Sequence, residues 1–164
     1  MTTVTLKGNT VHLTGTFPTV GSTAKDFTLV DIHLQDKTLK SFPSVKKILL
    51  IVPSLETPTC VICTKEFHSR VVNRKDVALL VVSADLPFTQ KNHAVAENQN
   101  LHLLSMMRDK SFAKDYGVLI QDGPLAGICT RAVLLLDENN KVIYAELVPE
   151  ITSETNYDKL FALL

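Results

Sequence analysis

Hydrophobic and polar positions alternate with period two near the start of the chain. Residues 4–7 and 11–14 show this pattern on either side of Gly8-Asn9, which predicts a β-hairpin. Residues 27–30 predict another short strand. Residues 47–52 are continuously apolar after their lysine and end at Pro53, the pattern of a strand buried on both faces. Val77–Ser83 predicts a second buried strand. Between them the period changes. Phe67 and Val71 recur at four-residue spacing with Lys65, Glu66 and Arg70 interspersed, so residues 60–71 read as a helix.

Pro87 can open the next helix, because its missing amide proton costs nothing in a first turn. Residues 101–104 predict a short strand, and residues 111–116 a short helix stopped by Gly117. Ala132–Leu136 and Val142–Leu147 flank Asp137-Glu138-Asn139-Asn140-Lys141, a hairpin loop. Ser153 or Thr155 can cap a final helix running to Leu163. Strands and helices thus alternate, followed by an antiparallel hairpin and a terminal helix. The order predicts an α/β fold with a mixed central sheet covered by helices on both faces. Asp122-Gly123-Pro124-Leu125-Ala126-Gly127 reads as the most flexible loop.

Length and composition narrow the function. At 164 residues the chain predicts one domain, 1–164, and 45% hydrophobic residues exclude collagen-like and disordered classes. Seventeen basic residues against seventeen acidic ones give no net charge, which argues against a nucleic-acid binder held by bulk phosphate attraction. The longest apolar runs fall far short of the roughly 20 residues a membrane helix needs. The first residues lack a basic stretch followed by an apolar core, so no signal peptide is expected. Three cysteines, two of them three apart, suit a reducing, cytoplasmic compartment where thiols do chemistry.

The chemistry concentrates between Val52 and Thr64. A buried strand ends, a polar loop follows, and Cys60 stands at the start of a helix. Free amides and the positive dipole end there favour an anion, and a thiolate is the anion on offer. At an ordinary pKa of about 8.5 few thiols are ionised near neutrality; a downward shift of about two units makes most of them thiolate. The competing reading of Cys60 is a small buried apolar residue. The polar neighbours Ser54, Glu56, Thr57 and Thr59 argue against it.

Cys60-Val61-Ile62-Cys63 leaves three readings open. It can be a dithiol–disulfide pair, half of a zinc site completed by His68 and Cys129, or a nucleophile followed by a core cysteine. Arg131 precedes a buried strand, where a thiolate or a reacting oxyanion would serve as its partner; an arginine snorkelling at a strand end reads equally well. Cys129 reads as a core residue. The five histidines show no metal spacing.

The segment Pro53-Ser54-Leu55-Glu56-Thr57-Pro58-Thr59-Cys60 resembles the active-site loop of peroxiredoxins of the bacterial thiol peroxidase subfamily. So do Ser83-Ala84-Asp85-Leu86-Pro87-Phe88-Thr89-Gln90, Tyr116-Gly117-Val118, Asp122 to Gly127, Arg131-Ala132-Val133, Asp137 to Tyr144 and Glu150-Ile151-Thr152. The likeness runs over essentially the whole chain. It implies a thioredoxin-like fold with an added N-terminal β-hairpin, a homodimer, and reduction of hydrogen peroxide and organic hydroperoxides. Electrons would come from thioredoxin or another thiol, with no metal, haem or flavin cofactor. By position it implies Cys60 as peroxidatic nucleophile, Thr57 as hydrogen-bond donor to thiolate and peroxide, Pro53 as shield and Arg131 as activator.

One departure matters. The family carries its resolving cysteine on the helix after the Ala-Asp-Leu-Pro-Phe motif, and that position here is Ala94. Cys63 stands where another small or polar residue is usual, and Glu56 replaces the commoner aspartate. Four routes for resolving an oxidised Cys60 follow: attack by Cys63, attack by an external thiol, a cysteine replaced at Ala94, or attack by Cys129. The first route predicts a Cys60–Cys63 disulfide.

Overall fold

The computed structural model describes residues 1–42, 44–94 and 100–164. Among these residues the central sheet has seven strands. They are β3 (Leu29–Asp31), β4 (Asp36–Lys37), β5 (Lys46–Ile51), β6 (Val77–Ser83), β7 (Leu101–Ser105), β9 (Ala132–Leu136) and β10 (Val142–Leu147), in the order β10-β9-β5-β6-β7-β3-β4. β6 pairs in parallel with β5 and β7, whereas β9 runs antiparallel to both β5 and β10. The sheet is mixed, as the sequence predicts.

Side chains alternate across it. Ile48, Leu50, Val52, Leu79 and Val81 turn to one face, where Phe67 and Val71 of helix α1 (Pro58–Val71) and Leu160 of helix α4 (Tyr157–Phe161) cover them. Leu49, Ile51, Leu80 and Val82 turn to the other, beneath Phe112 and Ala113 of helix α3 (Ser111–Asp115) and Tyr116. Burial on both faces is why these strands read as unbroken apolar runs. Each fully buried aliphatic side chain contributes about 1.5–3 kcal/mol.

The N-terminal hairpin, β1 (Thr3–Leu6) and β2 (Asn9–Thr14), forms as expected, but its turn sits one residue earlier. Leu6 pairs with Asn9, so Lys7 and Gly8 are the central residues, with φ of 49° and 81°. Positive φ at both positions matches the right-handed twist of the flanking strands. β2 continues to β8 (Leu119–Ile120), a two-residue strand too short to show periodicity. The hairpin also joins the C-terminal segment. Thr5 N–H donates to the Pro149 carbonyl at 2.7 Å, and Ile151 N–H to the Thr5 carbonyl at 2.8 Å.

Two helix ends correct the sequence reading. α1 begins at Pro58, not Cys60, because proline is pre-set for the first helical position and Thr57 supplies an extended N-cap. α4 is only five residues long, and its cap is Asn156, whose side chain accepts from Lys159 N–H; neither Ser153 nor Thr155 caps it. α3 ends as expected before Gly117. A Cβ there would lie 2.4 Å from the Thr16–Phe17 backbone, and φ is +64°. Helix α2 (Pro87–Lys91) opens on its proline as predicted.

Candidate active site

Sheet order brings the site together. β5 and β9 are antiparallel neighbours, with Ile51 opposite Ala132. The loop leaving β5 and the residue entering β9 therefore meet at one edge, although Cys60 and Arg131 are 71 positions apart. Pro58 and Thr59 start α1, so Cys60 falls in its first turn. Amides in that turn have no intrahelical acceptor, which leaves the local field positive.

The loop is held from beneath by a carboxylate. Asp85 accepts from Ser54 Oγ, Leu55 N–H and Ser83 Oγ, each at 2.7 Å. Gln90 Nε2 donates to Ser83 Oγ at 3.0 Å and to the Leu104 carbonyl at 2.9 Å. The Ser83–Gln90 motif thus serves to shape residues 54–57. On the outer side, His93 Nε2 lies 2.8 Å from Glu56 Oε1, linking the segment after α2 to the same loop.

Two polar groups converge on the Cys60 sulfur. Thr57 Oγ1 donates to it at 2.7 Å. Arg131 donates from both Nη1 and Nη2, each at 3.3 Å. The other edge of the guanidinium is fixed by the Ile151 carbonyl, which accepts from Nε at 3.2 Å and Nη2 at 3.1 Å. Cys60 has no exposed surface, and Arg131 is 1% exposed. Arg131 does not snorkel, therefore, and Cys60 is not a core residue among apolar neighbours alone. A charge-bearing fork aimed at a sulfur in a site sealed from water stabilises negative charge there strongly.

Pro53 is buried at the exit of β5, next to Val52, whose N–H donates to the Val82 carbonyl at 3.0 Å. Cys63 is fully buried one turn beyond Cys60. Its sulfur lies 4.0 Å from Arg131 Nη1 and 3.2 Å from Tyr157 Oη. Ala94 packs against the cluster that contains Cys60 and Cys63. Cys129 lies across the sheet, in the opposite cluster, with its sulfur 3.6 Å from Met106 Sδ. Burial pushes its thiol up to about 12. The zinc set of Cys60, Cys63, His68 and Cys129 is therefore not assembled. Among the described residues no group of three or more metal-ligating side chains is gathered.

Asp85, the Ile151 carbonyl and Tyr157 were not singled out by sequence reasoning. Asp85 stands inside a recognised motif just after a buried strand, and that placement was the available signal. A backbone carbonyl leaves no signature, and Tyr157 lies 94 positions from the cysteine it touches.

Fold and site together define a thioredoxin-like redox protein built around one cysteine sulfur. The Redoxin family model matches residues 19–161. A thiol peroxidase of Leptospira interrogans is 44% identical over 165 aligned residues, covering 99% of this chain and 96% of that protein. The structure of a peroxiredoxin-like protein from Aquifex aeolicus superposes with a TM-score of 0.90 at 41% identity, over 98% of this chain and 94% of that one. A thiol peroxidase from Chromobacterium violaceum superposes at 0.89 with 27% identity, over the same shares. The chain belongs to the Redoxin family and, within it, to the thiol peroxidases of the peroxiredoxin type.

Proposed function

We propose that Cys60 is the peroxidatic cysteine of a single catalytic domain, 1–164, which reduces hydrogen peroxide and organic hydroperoxides. The activity is that of a thiol-dependent peroxidase. The carrying observation is the convergence of Thr57 Oγ1 and both Arg131 Nη atoms on one sulfur. The Cys60 thiolate attacks one peroxide oxygen in line with the O–O bond. Sulfur gains that oxygen as a sulfenic acid, and the other leaves, with a proton, as water or an alcohol. Arg131 stabilises charge developing on the oxygens. Thr57, which keeps some exposed surface, donates to sulfur or substrate, and Pro53 shields the sulfur.

A dithiol–disulfide exchanger is the weaker reading. It requires no donors from Thr57 and Arg131 on the same sulfur. Thioredoxin or another thiol returns the enzyme to its reduced state. Three free cysteines suit a reducing, cytoplasmic setting. Exposed Leu86 and Phe88, beside the loop that His93 ties to Glu56, offer apolar surface for an alkyl tail or for the second subunit of a homodimer.

The test is peroxide consumption coupled to thioredoxin, thioredoxin reductase and NADPH, with hydrogen peroxide and cumene hydroperoxide as substrates. The wild-type chain consumes both, and Cys60→Ser consumes neither while remaining folded. Wild-type turnover in that variant removes Cys60 from the reaction.

A further inference from the structure

Cys63 is sealed from solvent, yet its sulfur touches a polar group that is not. Tyr157 Oη lies 3.2 Å from Cys63 Sγ and 2.6 Å from Glu154 Oε1. Tyr157 is half-buried and Glu154 is exposed. The phenol has one hydrogen and cannot give it to both neighbours. With that hydrogen on the Glu154 carboxylate, the phenol oxygen is free to accept from the Cys63 S–H. The three side chains then form an unbroken hydrogen-bonded path from a buried thiol to water.

The surroundings hold this path in place. Tyr157 meets Phe67 edge-on at 5.2 Å between ring centroids, and the Arg70 guanidinium lies 5.5 Å from the Tyr157 ring centroid. Burial, and then its neighbours Cys63 and Glu154, push the phenol well above its ordinary range, so it stays protonated. Among the described residues, the charged and titratable groups in contact with Cys63 are Arg131, Tyr157 and, through Tyr157, Glu154, with Cys60 one turn away on α1.

We propose that Tyr157 and Glu154 are the proton exit for Cys63 when Cys63 resolves the sulfenic acid on Cys60. This rests on Cys60 as the peroxidatic centre. In the step, Cys63 sulfur donates its electron pair to Cys60 sulfur, an S–S bond forms, and the Cys60 S–O bond breaks. The Cys63 proton passes to Tyr157 as the phenol hydrogen passes to Glu154. The departing hydroxide takes a proton from solvent and leaves as water. Cys63 is oxidised and the Cys60 sulfur is reduced. Arg131 Nη1, 3.3 Å from one sulfur and 4.0 Å from the other, supports charge on both. Cys63 is then a resolving thiol that needs no cysteine at Ala94, and Glu154 is a positioning residue acting through Tyr157.

The experiment follows one equivalent of hydrogen peroxide by rapid quench and intact mass, across pH 5.5 to 9, in wild type, Tyr157→Phe, Glu154→Gln and Cys63→Ser. Oxygen gain reports the first step and loss of two hydrogens reports the disulfide, so the two are read separately. Tyr157→Phe keeps the ring packing. It is expected to slow disulfide formation on the order of 10²-fold near neutrality, the size of a general-base contribution. Its rate should rise steeply with pH as hydroxide replaces the lost path, and Glu154→Gln should show the same pH dependence in milder form. Disulfide formation in Tyr157→Phe at the wild-type rate and pH profile overturns the proton exit while leaving Cys63 as resolving thiol. An oxygen gain that persists equally in wild type and Cys63→Ser overturns resolution by Cys63, and the proposal with it. Absence of any oxygen gain or disulfide at Cys60 overturns the peroxidatic reading beneath both.

Discussion

Replacing Thr57 by valine removes one oxygen and nearly nothing else. Valine is β-branched like threonine and suits the extended backbone at this position, φ −90° and ψ 143°. Thr57 is the N-cap of α1, where loss of a threonine side chain ordinarily costs about 1 kcal/mol. Here its hydroxyl makes no capping bond; it lies 2.7 Å from Cys60 Sγ and 3.2 Å from the Ser54 carbonyl. The loss therefore falls on the sulfur. A hydrogen bond to a charged group contributes about 1.5–3 kcal/mol. If it acts on the thiolate and on the charge of the attack, the rate constant for peroxide falls about 10- to 150-fold, at tenfold per 1.36 kcal/mol. Thermal stability should change by less than about 1 kcal/mol, because no cap is lost. Stopped-flow competition for hydrogen peroxide measures the first quantity and thermal unfolding the second. Thr57→Ser, which keeps the hydroxyl, should stay within a few-fold of wild type. An unchanged rate constant in a folded Thr57→Val protein refutes the assignment. So does a rate loss in Thr57→Ser as large as that in Thr57→Val.

Arg131→Met should slow the peroxide reaction on the order of 10²-fold or more, since a charged donor to the reacting atoms is lost. Cys60 alkylation by iodoacetamide at pH 7 should slow with it, and unchanged values of both would leave Arg131 a structural residue. Glu150→Gln tests the tether behind Arg131. The Thr5 hydroxyl, then the amides of Gly8, Lys7 and Thr152, lower the Glu150 carboxyl from 4.5 to about 2. A folded value below the unfolded one gives stability that is present above about pH 4.5 and lost as pH falls toward 2. Glu150→Gln should therefore melt below wild type at pH 7, with the gap closing between pH 4.5 and 2; a gap independent of pH would mean the carboxylate charge is not what the hairpin holds.

Legibility followed burial and sequence distance. β5 after its two lysines, β6 up to Ser83 and all of β9 are apolar because both faces are covered, and the sequence shows them directly. β4 and β8 have two residues each, and no period can be read from two residues. α4 is shorter than a helix capped at Ser153 or Thr155 and running to Leu163, because Asn156 caps it and it closes at Phe161. Cys60, Thr57 and Arg131 were legible because they stand at fixed places in a recognisable order of motifs, Cys60 and Arg131 being of rare types as well. The contacts that hold them were not. The Asp85 carboxylate reaches Leu55 N–H across 30 positions, and Arg131 is oriented by a carbonyl that any residue at 151 would supply.

The pairing of Arg131 with Cys60 ties stability to reactivity. A buried guanidinium costs several kcal/mol of lost hydration unless charge and hydrogen bonds replace the water. Here the replacements are the Ile151 carbonyl and sulfur, with no carboxylate on Arg131 among the described residues. A carboxylate would neutralise the cation whatever the state of Cys60. Sulfur neutralises it only as thiolate, so under the proposed peroxidatic role of Cys60 the contact that helps compensate Arg131 for burial also favours the attacking form of the sulfur. The N-terminal hairpin enters this balance through Thr5 and Glu150, which position the Ile151 carbonyl, and thereby the fork that faces the sulfur. The hairpin is thus tied to the Cys60 sulfur through three links: hairpin to Glu150 and Ile151, carbonyl to guanidinium, guanidinium to sulfur.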